Sequence, residues 1–358
     1  MKSILFLMPG PGNRATGGGK VVYEYANRLA ADGYPVTIVY PATSYFGYYS
    51  VCGKIRAVLG YFYYLLRRKY VPYLWFDLDR KVRIRFVWSL SERRVPQADL
   101  YVATALATAE YLNAYRNVLP EQKIYLIQGY ESWDWGEERF LASLRFAMRK
   151  ITIAPHLLRA IEKQGSRGIM IELGLDFNYF HPTRSIEEKD RFVVAMLYHT
   201  APLKGVADGL AALELARKSY PQIHVILFGH FPPPKELPEW AEYFQQPNQA
   251  IHNDIYGRAA IYVGPSHSEG FNLTVAEAMQ CGCAVVCTDI GGYASLCIDG
   301  QTALVSPVKD RDAMASNIVR LIEDAELRHT LARNALQNVQ RYTWQRAYEQ
   351  FKYEIDRV

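Results

Sequence analysis

The chain has 358 residues and a mass of 41.0 kDa, about twice the usual size of a domain, so two domains are expected. Half of the residues are hydrophobic and 22% are charged, which excludes a disordered tail, a collagen-like fibre and a coiled coil. The net charge of +5 is too small to indicate a nucleic-acid partner. No apolar run reaches the roughly 20 residues of a membrane-spanning helix. The apolar start at 1–8 lacks a small-residue cleavage site and predicts a strand, not a signal peptide.

Apolar strands and amphipathic helices alternate along the first half of the chain. Strands are predicted at 3–8, 35–40, 100–103, 124–127 and 150–154. A helix between the first two strands ends at Gly33. Continuous apolar strands are typical of a parallel sheet that is covered on both faces, so the pattern predicts an open α/β domain.

The same alternation restarts after a polar stretch at 182–190. The predicted strands are 191–198, 223–229, 260–263 and 284–287, and the predicted helices are 206–219, 273–281, 310–323 and 326–341. We therefore expect two α/β domains, at 1–184 and 185–343. The last helix, 344–358, is a candidate to pack back on the first domain.

The cysteines are Cys52, Cys281, Cys283, Cys287 and Cys297. The last four lie within 17 residues, a spacing that suits a metal site. Their apolar run CGCAVVC favours a buried strand instead, in which a free thiol behaves as a small hydrophobic group. An odd number of cysteines fits a reducing, cytoplasmic compartment.

The segment 45–94 is basic and rich in tyrosine, with eleven Lys and Arg against three acids. Between 55 and 66 its apolar side chains recur at helical spacing, with cations at both ends. Such a helix suits the interface of an anionic membrane, with peripheral contact at the cytoplasmic face. It also suits a core helix with solvated ends, and the surface role has only a slight preference.

Glycines are concentrated between Pro9 and Gly19, directly after the first predicted strand. Backbone amides that precede a helix can bind phosphate. Arg14 stands at the first glycine position of a Walker loop, Val21 replaces its hydroxyl residue, and no acid ends the second strand. The loop predicts a phosphate ligand other than ATP or NAD, with a simple tight turn as the alternative.

Two glutamates, Glu269 and Glu277, lie eight residues apart in the second half. Glu269 falls in a loop after a predicted strand, and Glu277 lies about one turn into the next helix. Open α/β sheets bind ligands at the carboxyl ends of their strands. Two carboxylates there suit the hydroxyls of a ribose and a sugar, and free amides at 270–272 suit a diphosphate. The alternative is a helix-capping carboxylate and a solvated glutamate.

The run SEGFNLTVAEAMQCGCAVVCTDIGG, 268–292, resembles the E-x7-E region of retaining glycosyltransferases of GT-B fold, the group called family 4. Further segments at 17–41, 151–165, 173–182 and 304–344 are similar to the same family, so the resemblance extends over most of the chain. The segment YLIQGYESW, 125–133, is similar to a branch that contains rhamnosyltransferases of bacterial surface polysaccharides.

The resemblance implies an α/β fold of GT-B type, with two Rossmann-like domains that face each other across a cleft. It implies retaining transfer of a sugar from a nucleotide sugar to a glycan or lipid-linked acceptor, with the donor held by the second domain. The acceptor hydroxyl would attack from the face that the nucleotide leaves, without a carboxylate nucleophile. No cofactor and no metal are implied. The alternatives are a nucleotide-sugar 2-epimerase and a non-catalytic partner subunit.

The resemblance also assigns roles to single residues of the second domain. Glu277 would bind the donor ribose, Glu269 the sugar hydroxyls, and Lys204 the diphosphate leaving group, which becomes negative as the anomeric bond breaks. The other donor-binding candidates are Gly270, Phe271, Asn272, Leu273, Gly18 and Gly19.

Three features depart from the family or imitate another one. His199 stands where the family usually has an arginine, which predicts weaker or pH-dependent neutralisation of the phosphates. The stretch 103–109 lacks the histidine of the first domain, so Glu131 and Asp134 are the acceptor-side candidates, with solvated loop acids as the alternative. The D-x-D motif at 77–79 is interpreted as a coincidence.

Overall fold

The computed structural model describes residues 1–10, 16–42, 51–67, 75–132, 136–234 and 236–357. The chain divides into two compact units, Met1–Leu173 with Trp344–Val358, and Gly174–Thr343. Asp134, the glycine-loop residues 11–15 and parts of the basic segment lie outside the described residues.

The first unit is built on a seven-stranded parallel sheet within its described residues. Its strands are β1 (Ile4–Leu7), β2 (Val36–Pro41), β3 (Arg83–Val87), β4 (Leu100–Ala103), β5 (Lys123–Ile127), β6 (Arg149–Thr152) and β7 (Gly168–Met170). The order across the sheet is β3-β2-β1-β4-β5-β6-β7. Its helices include α1 (Gly17–Ala31), α2 (Val51–Arg67), α3 (Leu106–Asn113), α4 (Glu137–Ser143) and α5 (Pro155–Lys163).

The second unit is built on a six-stranded parallel sheet. Its strands are β8 (Asp190–Leu197), β9 (His224–Gly229), β10 (Ala241–Gln245), β11 (Ala259–Gly264), β12 (Ala284–Thr288) and β13 (Leu304–Ser306), in the order β10-β9-β8-β11-β12-β13. Its helices are α6 (Val206–Ser219), α7 (Gln249–Arg258), α8 (Leu273–Gln280), α9 (Arg311–Glu323) and α10 (Ala325–Val339). Two parallel sheets with intervening helices confirm the predicted α/β class.

The last helix, α11 (Trp344–Asp356), belongs to the first unit. Its Phe351 ring stacks on Tyr25 of α1 with centroids 4.2 Å apart, and both side chains are fully buried. Its Tyr348 hydroxyl donates to Asp32 at 2.7 Å, just after α1 ends. Aromatic packing and a hydrogen bond thus join the end of the chain to its beginning.

Each sheet reverses its strand order at one point. β1 pairs with β2 on one side and β4 on the other, and β8 pairs with β9 and β11 in the same way. In open α/β sheets, ligands bind at the carboxyl edge, between the loops that follow two such diverging strands. In the second unit these are the loops after β8 and β11.

Two differences from the sequence prediction concern local structure. α1 begins at Gly17, four residues before Val21, the first apolar residue of its helical pattern. It begins there because the Thr16 hydroxyl caps the helix by accepting from Gly19 N–H at 3.1 Å. The strands β7, β10 and β13 lie towards the sheet edges and were not predicted, because they lack the long apolar runs of the central strands.

α2 exposes an apolar face. Exposed fractions are 56% for Ile55, 65% for Leu59, 52% for Phe62 and 83% for Leu66. Across the described ranges, no helix is both long and apolar enough to cross a membrane. Within its described residues the basic segment therefore presents an amphipathic surface helix and not a buried core helix.

Candidate functional site

Lys204 and Glu269 meet at the strand-order reversal of the second sheet. Lys204 ends a short 3₁₀ turn after β8, and Glu269 lies between β11 and α8. The Lys204 Nζ atom donates to Glu269 Oε1 at 2.7 Å and to Oε2 at 2.9 Å. The fold thus brings together two predicted site residues that are 65 positions apart in the chain.

The Glu269 carboxylate is held from several directions. Ser266 Oγ and Asn272 Nδ2 each donate to Oε1 at 2.8 Å, in addition to the Lys204 ammonium. The Glu269 side chain is only 9% exposed. Charge-assisted hydrogen bonds of this kind hold the Glu269 carboxylate in one orientation.

Asn272 connects this carboxylate to α8. Its backbone is left-handed, with φ of +58°, a conformation that asparagine tolerates better than most residues. Its Oδ1 atom accepts from Val275 N–H at 3.1 Å and so caps the helix. Phe271 is buried beside it, and Leu273 begins the helix. The first turn of α8 therefore begins four residues after Glu269, and the amides of a helix N-terminus can bind an anion.

Glu277 lies on the same helix and is buried, with 8% exposure. The Tyr256 hydroxyl donates to its Oε2 atom at 3.2 Å. Burial, together with the charge of Glu277, raises the pKa of Tyr256 well above its usual value, so this hydroxyl stays protonated as a donor. Glu277 is thus a buried carboxylate rather than the solvated helix glutamate of the alternative interpretation.

His199 follows β8 on the loop that leads to Lys204. Its Nδ1 atom accepts from Ala201 N–H at 2.9 Å, and its ring packs against Phe231 with centroids 4.7 Å apart. Burial and the nearby Lys204 charge lower the pKa of His199. Near neutral pH the imidazole is therefore uncharged and carries its proton on Nε2.

Gly205 determines how closely the two loops approach. It has a φ of +63°, and a Cβ atom at this position would overlap the carbonyl oxygen of Pro265, on the loop after β11. Only glycine fits both the left-handed backbone and the close approach. The glycine of the PLKG sequence thus brings Lys204 within reach of Glu269.

An adjacent cluster was missed by the sequence analysis. Asp208, in the first turn of α6, accepts from His267 Nε2 and from Arg311 Nε, each at 2.7 Å. Burial raises the pKa of Asp208, but the hydrogen bonds and charges of Arg311 and His267 outweigh it and leave the pKa below its usual value. The histidine two residues before Glu269 was the available signal.

Three of the predicted site residues of the first unit, Gly18, Gly19 and Glu131, lie at the starts of helices or cap them. Gly18 and Gly19 lie in the first turn of α1, where Gln128 Nε2 donates to the Gly18 carbonyl at 3.4 Å. The Glu131 carboxylate accepts from Leu106 N–H at 2.9 Å and so caps α3. An acceptor-side role for Glu131 and Asp134 stays a prediction.

The D-x-D sequence lies in an irregular segment before the turn that leads into β3. The Asn27 side chain donates to Asp77 O and accepts from Asp79 N–H, both at 2.8 Å. Within the described ranges, no three His, Cys, Asp or Glu side chains gather as metal ligands would. All five cysteines are free, and the four of the second unit are buried.

Comparisons with known proteins agree with this geometry. Residues 180–338 match the family Glycosyl transferases group 1. A phosphatidyl-myo-inositol mannosyltransferase of Mycolicibacterium smegmatis is 28% identical over 195 residues, which are 51% of this chain and 50% of the relative. The lipopolysaccharide core biosynthesis mannosyltransferase LpcC of Rhizobium leguminosarum is 42% identical over 84 residues, 24% of each chain. The chain thus spans about half, or less, of these relatives.

Solved structures share the fold over the whole chain. Sucrose-phosphate synthase of Thermosynechococcus elongatus has a TM-score of 0.76 at 17% identity, and the match covers 100% of this chain and 99% of the synthase chain. HepE of Anabaena, in complex with UDP-glucose, has a TM-score of 0.73 at 17% identity and full coverage of both chains. These matches confirm the predicted GT-B fold. Residues 180–338, which carry Lys204, Glu269 and Glu277, are the part of the chain that is similar to the family Glycosyl transferases group 1.

Proposed function

We propose that the chain is a retaining glycosyltransferase of family 4. It moves a sugar from a nucleoside-diphosphate donor to a hydroxyl of a glycan or lipid-linked acceptor. The observation that carries the proposal is the Lys204–Glu269 pair at the carboxyl edge of the second sheet, directly before a helix that holds the buried Glu277. The mannosyltransferase relative and the UDP-glucose complex of HepE support a nucleotide sugar as donor.

Lys204 would supply the charge that the reaction needs. When the bond between the anomeric carbon and the phosphate oxygen breaks, that oxygen becomes negative. The Lys204 ammonium would move from Glu269 to the diphosphate and stabilise it in place of a metal ion. The acceptor oxygen forms the new bond on the same face of the sugar, and its proton passes to the departing phosphate oxygen. Configuration is therefore retained without a carboxylate nucleophile.

The two glutamates would bind different parts of the donor. Once Lys204 has moved, Glu269 Oε2 is open to accept from hydroxyls of the sugar, while Ser266 and Asn272 still hold Oε1. Glu277 would accept from the hydroxyls of the ribose. The diphosphate would lie at the N-terminus of α8, where the amides of 271–273 suit an anion.

The test begins with a thermal-shift screen of nucleotide sugars, because a ligand that binds the native state raises its melting temperature. Turnover of the best donor is then measured in Lys204→Ala and Glu277→Ala. Each loses about 10²-fold or more if the assigned contacts form in the transition state. The exposed residues Lys218 and Glu214 on α6 give matched controls, Lys218→Ala and Glu214→Ala, which keep wild-type turnover.

Wild-type turnover in both site variants would overturn the assignment. Incubation of the nucleotide sugar without acceptor tests the other enzyme class on this fold, since a 2-epimerase forms an epimer under these conditions and a transferase does not. A chain that binds the donor but turns over no acceptor would be a non-catalytic partner subunit.

We also propose a lipid-linked acceptor, reached by peripheral contact with the cytoplasmic face of an anionic membrane. The exposed apolar face of α2 supports this contact, as do the exposed cations Arg83 and Arg85 on the edge strand β3. The double variant Leu59→Asp/Phe62→Asp should no longer co-sediment with vesicles that contain phosphatidylserine. Ile251→Asp, an equally apolar exposed site on α7, should still do so. Wild-type binding that ignores anionic lipid content would contradict the contact.

A further inference from the structure

Asp208, His267 and Arg311 form a second ionic cluster, which the proposed reaction does not use. Asp208 accepts from both partners at 2.7 Å, one on each carboxylate oxygen. The side chains are 13% exposed for Asp208 and 21% for His267. An ionised carboxylate only accepts, so the His267 proton that meets it stands on Nε2 whatever the charge of the ring. Arg311 already balances the charge of Asp208.

The cluster joins the two loops that carry Lys204 and Glu269. Asp208 lies four residues after Lys204, and His267 lies two residues before Glu269. The main chain is joined as well, since His267 N–H donates to the Leu203 carbonyl at 2.7 Å. Arg311 adds the start of α9 to the assembly. The two loops are thus linked by backbone and by side chains directly beside the site.

We propose that Asp208, His267 and Arg311 form a positioning cluster that keeps the Lys204 loop and the Glu269 loop in register when a diphosphate binds. The inference rests on the proposed function. In the ligand-free protein the Lys204–Glu269 pair itself links the loops. A diphosphate that takes the Lys204 ammonium removes this link, and the cluster is a link that remains.

The effect on binding follows from geometry. A lysine side chain has many rotamers, so the position of its ammonium depends on the backbone that carries it. A shift of about 1 Å between supporting loops is enough to weaken a polar site substantially. Loss of the cluster should therefore reduce diphosphate affinity more than it reduces the stability of the fold.

The experiment measures binding of inorganic pyrophosphate to the full chain by calorimetry at one pH. We expect Asp208→Asn and His267→Leu to weaken binding about tenfold, equivalent to about 1.4 kcal/mol. His267→Gln should stay within about threefold of wild type, because its amide N–H reaches the position of Nε2. Glu242→Gln is the matched control, since Glu242 also accepts from a histidine and an arginine, His224 at 3.1 Å and Arg258 at 2.7 Å.

Glu242 is the second residue of β10, so it lies near the amino end of the strands and away from the site. Its variant should bind pyrophosphate like wild type. Lys204→Ala distinguishes the two proposals. If it binds pyrophosphate as well as wild type does, the proposed diphosphate site is wrong and the positioning role falls with it. If it loses binding while Asp208→Asn and His267→Leu keep it, only the positioning role is overturned. The two His267 variants decide the matter if Asp208→Asn does not fold.

Discussion

The two sheets reverse their strand order in the same way, yet their carboxyl edges differ in chemistry. In the second unit the loops after β8 and β11 carry Lys204 and Glu269, two opposite charges in direct contact. In the first unit the turn after β4 carries Thr104, whose hydroxyl donates to the Leu7 carbonyl at 2.8 Å. The helix after β1 opens with Gly18 and its neighbouring glycines. We call the edge of the second unit the ionic edge and, because the residues named for it are uncharged, the edge of the first unit the neutral edge.

The difference shows that topology creates a binding edge while the loop residues decide its chemistry. A charged edge would stabilise the departing diphosphate of the proposed reaction, whereas uncharged residues can position groups only through hydrogen bonds. The Glu131 carboxylate, on the loop after β5, caps α3. Substitutions at the two edges should therefore differ in their effects.

The largest effect is expected from a glycine that the ionic edge requires. Gly205→Ala introduces a Cβ atom that overlaps the Pro265 carbonyl and forces alanine into a left-handed backbone. We expect a loss of at least about 3 kcal/mol of unfolding free energy. Gly18→Ala is the matched change at the neutral edge, where the new Cβ atom meets Gln128 at an ordinary 3.5 Å. Its effect should stay within about 1 kcal/mol.

Urea denaturation monitored by far-UV circular dichroism measures both variants. Equal loss in Gly205→Ala and Gly18→Ala would show that the close approach of the loops in the second unit is not special. If both variants keep the wild-type free energy of unfolding, the loop of Lys204 can move away from Pro265 without loss of stability.

A smaller effect is expected at Glu131. Glu131→Ala removes the cap of α3 and should cost about 1 kcal/mol of stability, whereas Glu131→Gln keeps an acceptor for Leu106 N–H and should cost less. If the carboxylate only caps the helix, turnover stays within about threefold of wild type in both variants. Thermal unfolding and steady-state kinetics measure the two quantities. A raised KM for the acceptor in both variants would support the predicted acceptor-side role of Glu131.

The sequence was sufficient for the central strands and for two residues, Lys204 and Glu269, that the structure brings into contact. β4 was predicted with its observed bounds, and β11 and β12 to within one residue, because strands buried on both faces have continuous apolar runs. Glu269 and Glu277 were proposed from their eight-residue spacing, and Lys204 was proposed from the family resemblance. The edge strand β10 was missed because its burial is incomplete and its apolar run is short.

The contacts within the site could not be predicted from the sequence. The bond between His267 and Asp208 joins residues 59 positions apart, and it depends on how β8 and β11 pair. Similarly, the helix-capping role of Glu131 depends on the position of α3, 25 residues earlier. Spacing along a chain identifies residues on one element, whereas contacts between loops follow from the order of strands in the sheet.

The smallest effect concerns the charge of the ionic edge as pH changes. The pKa of His199 is lowered by burial and by Lys204, with Glu269 opposing and His230 adding to the shift. A bound diphosphate brings negative charge and raises this pKa again. Below about pH 6.5, the ordinary histidine value, the complex should therefore gain a proton on His199, and affinity should rise.

His199→Asn is the control for this titration, because the asparagine Oδ1 atom can accept from Ala201 N–H as Nδ1 does. The ratio of wild-type to variant affinity for pyrophosphate, measured by calorimetry, cancels the titration of pyrophosphate itself. We expect the ratio to rise about threefold between pH 8 and pH 5.5, which is about half of the 1.4 kcal/mol of a tenfold change.

The stability of the ligand-free protein should change in the opposite direction. With the folded pKa below the unfolded one, the unfolded chain takes up the proton first, so the wild type loses stability relative to the variant as pH falls below about 6.5. A flat affinity ratio would mean that His199 stays neutral beside the diphosphate, and Lys204 would then be the cation that carries the ionic edge.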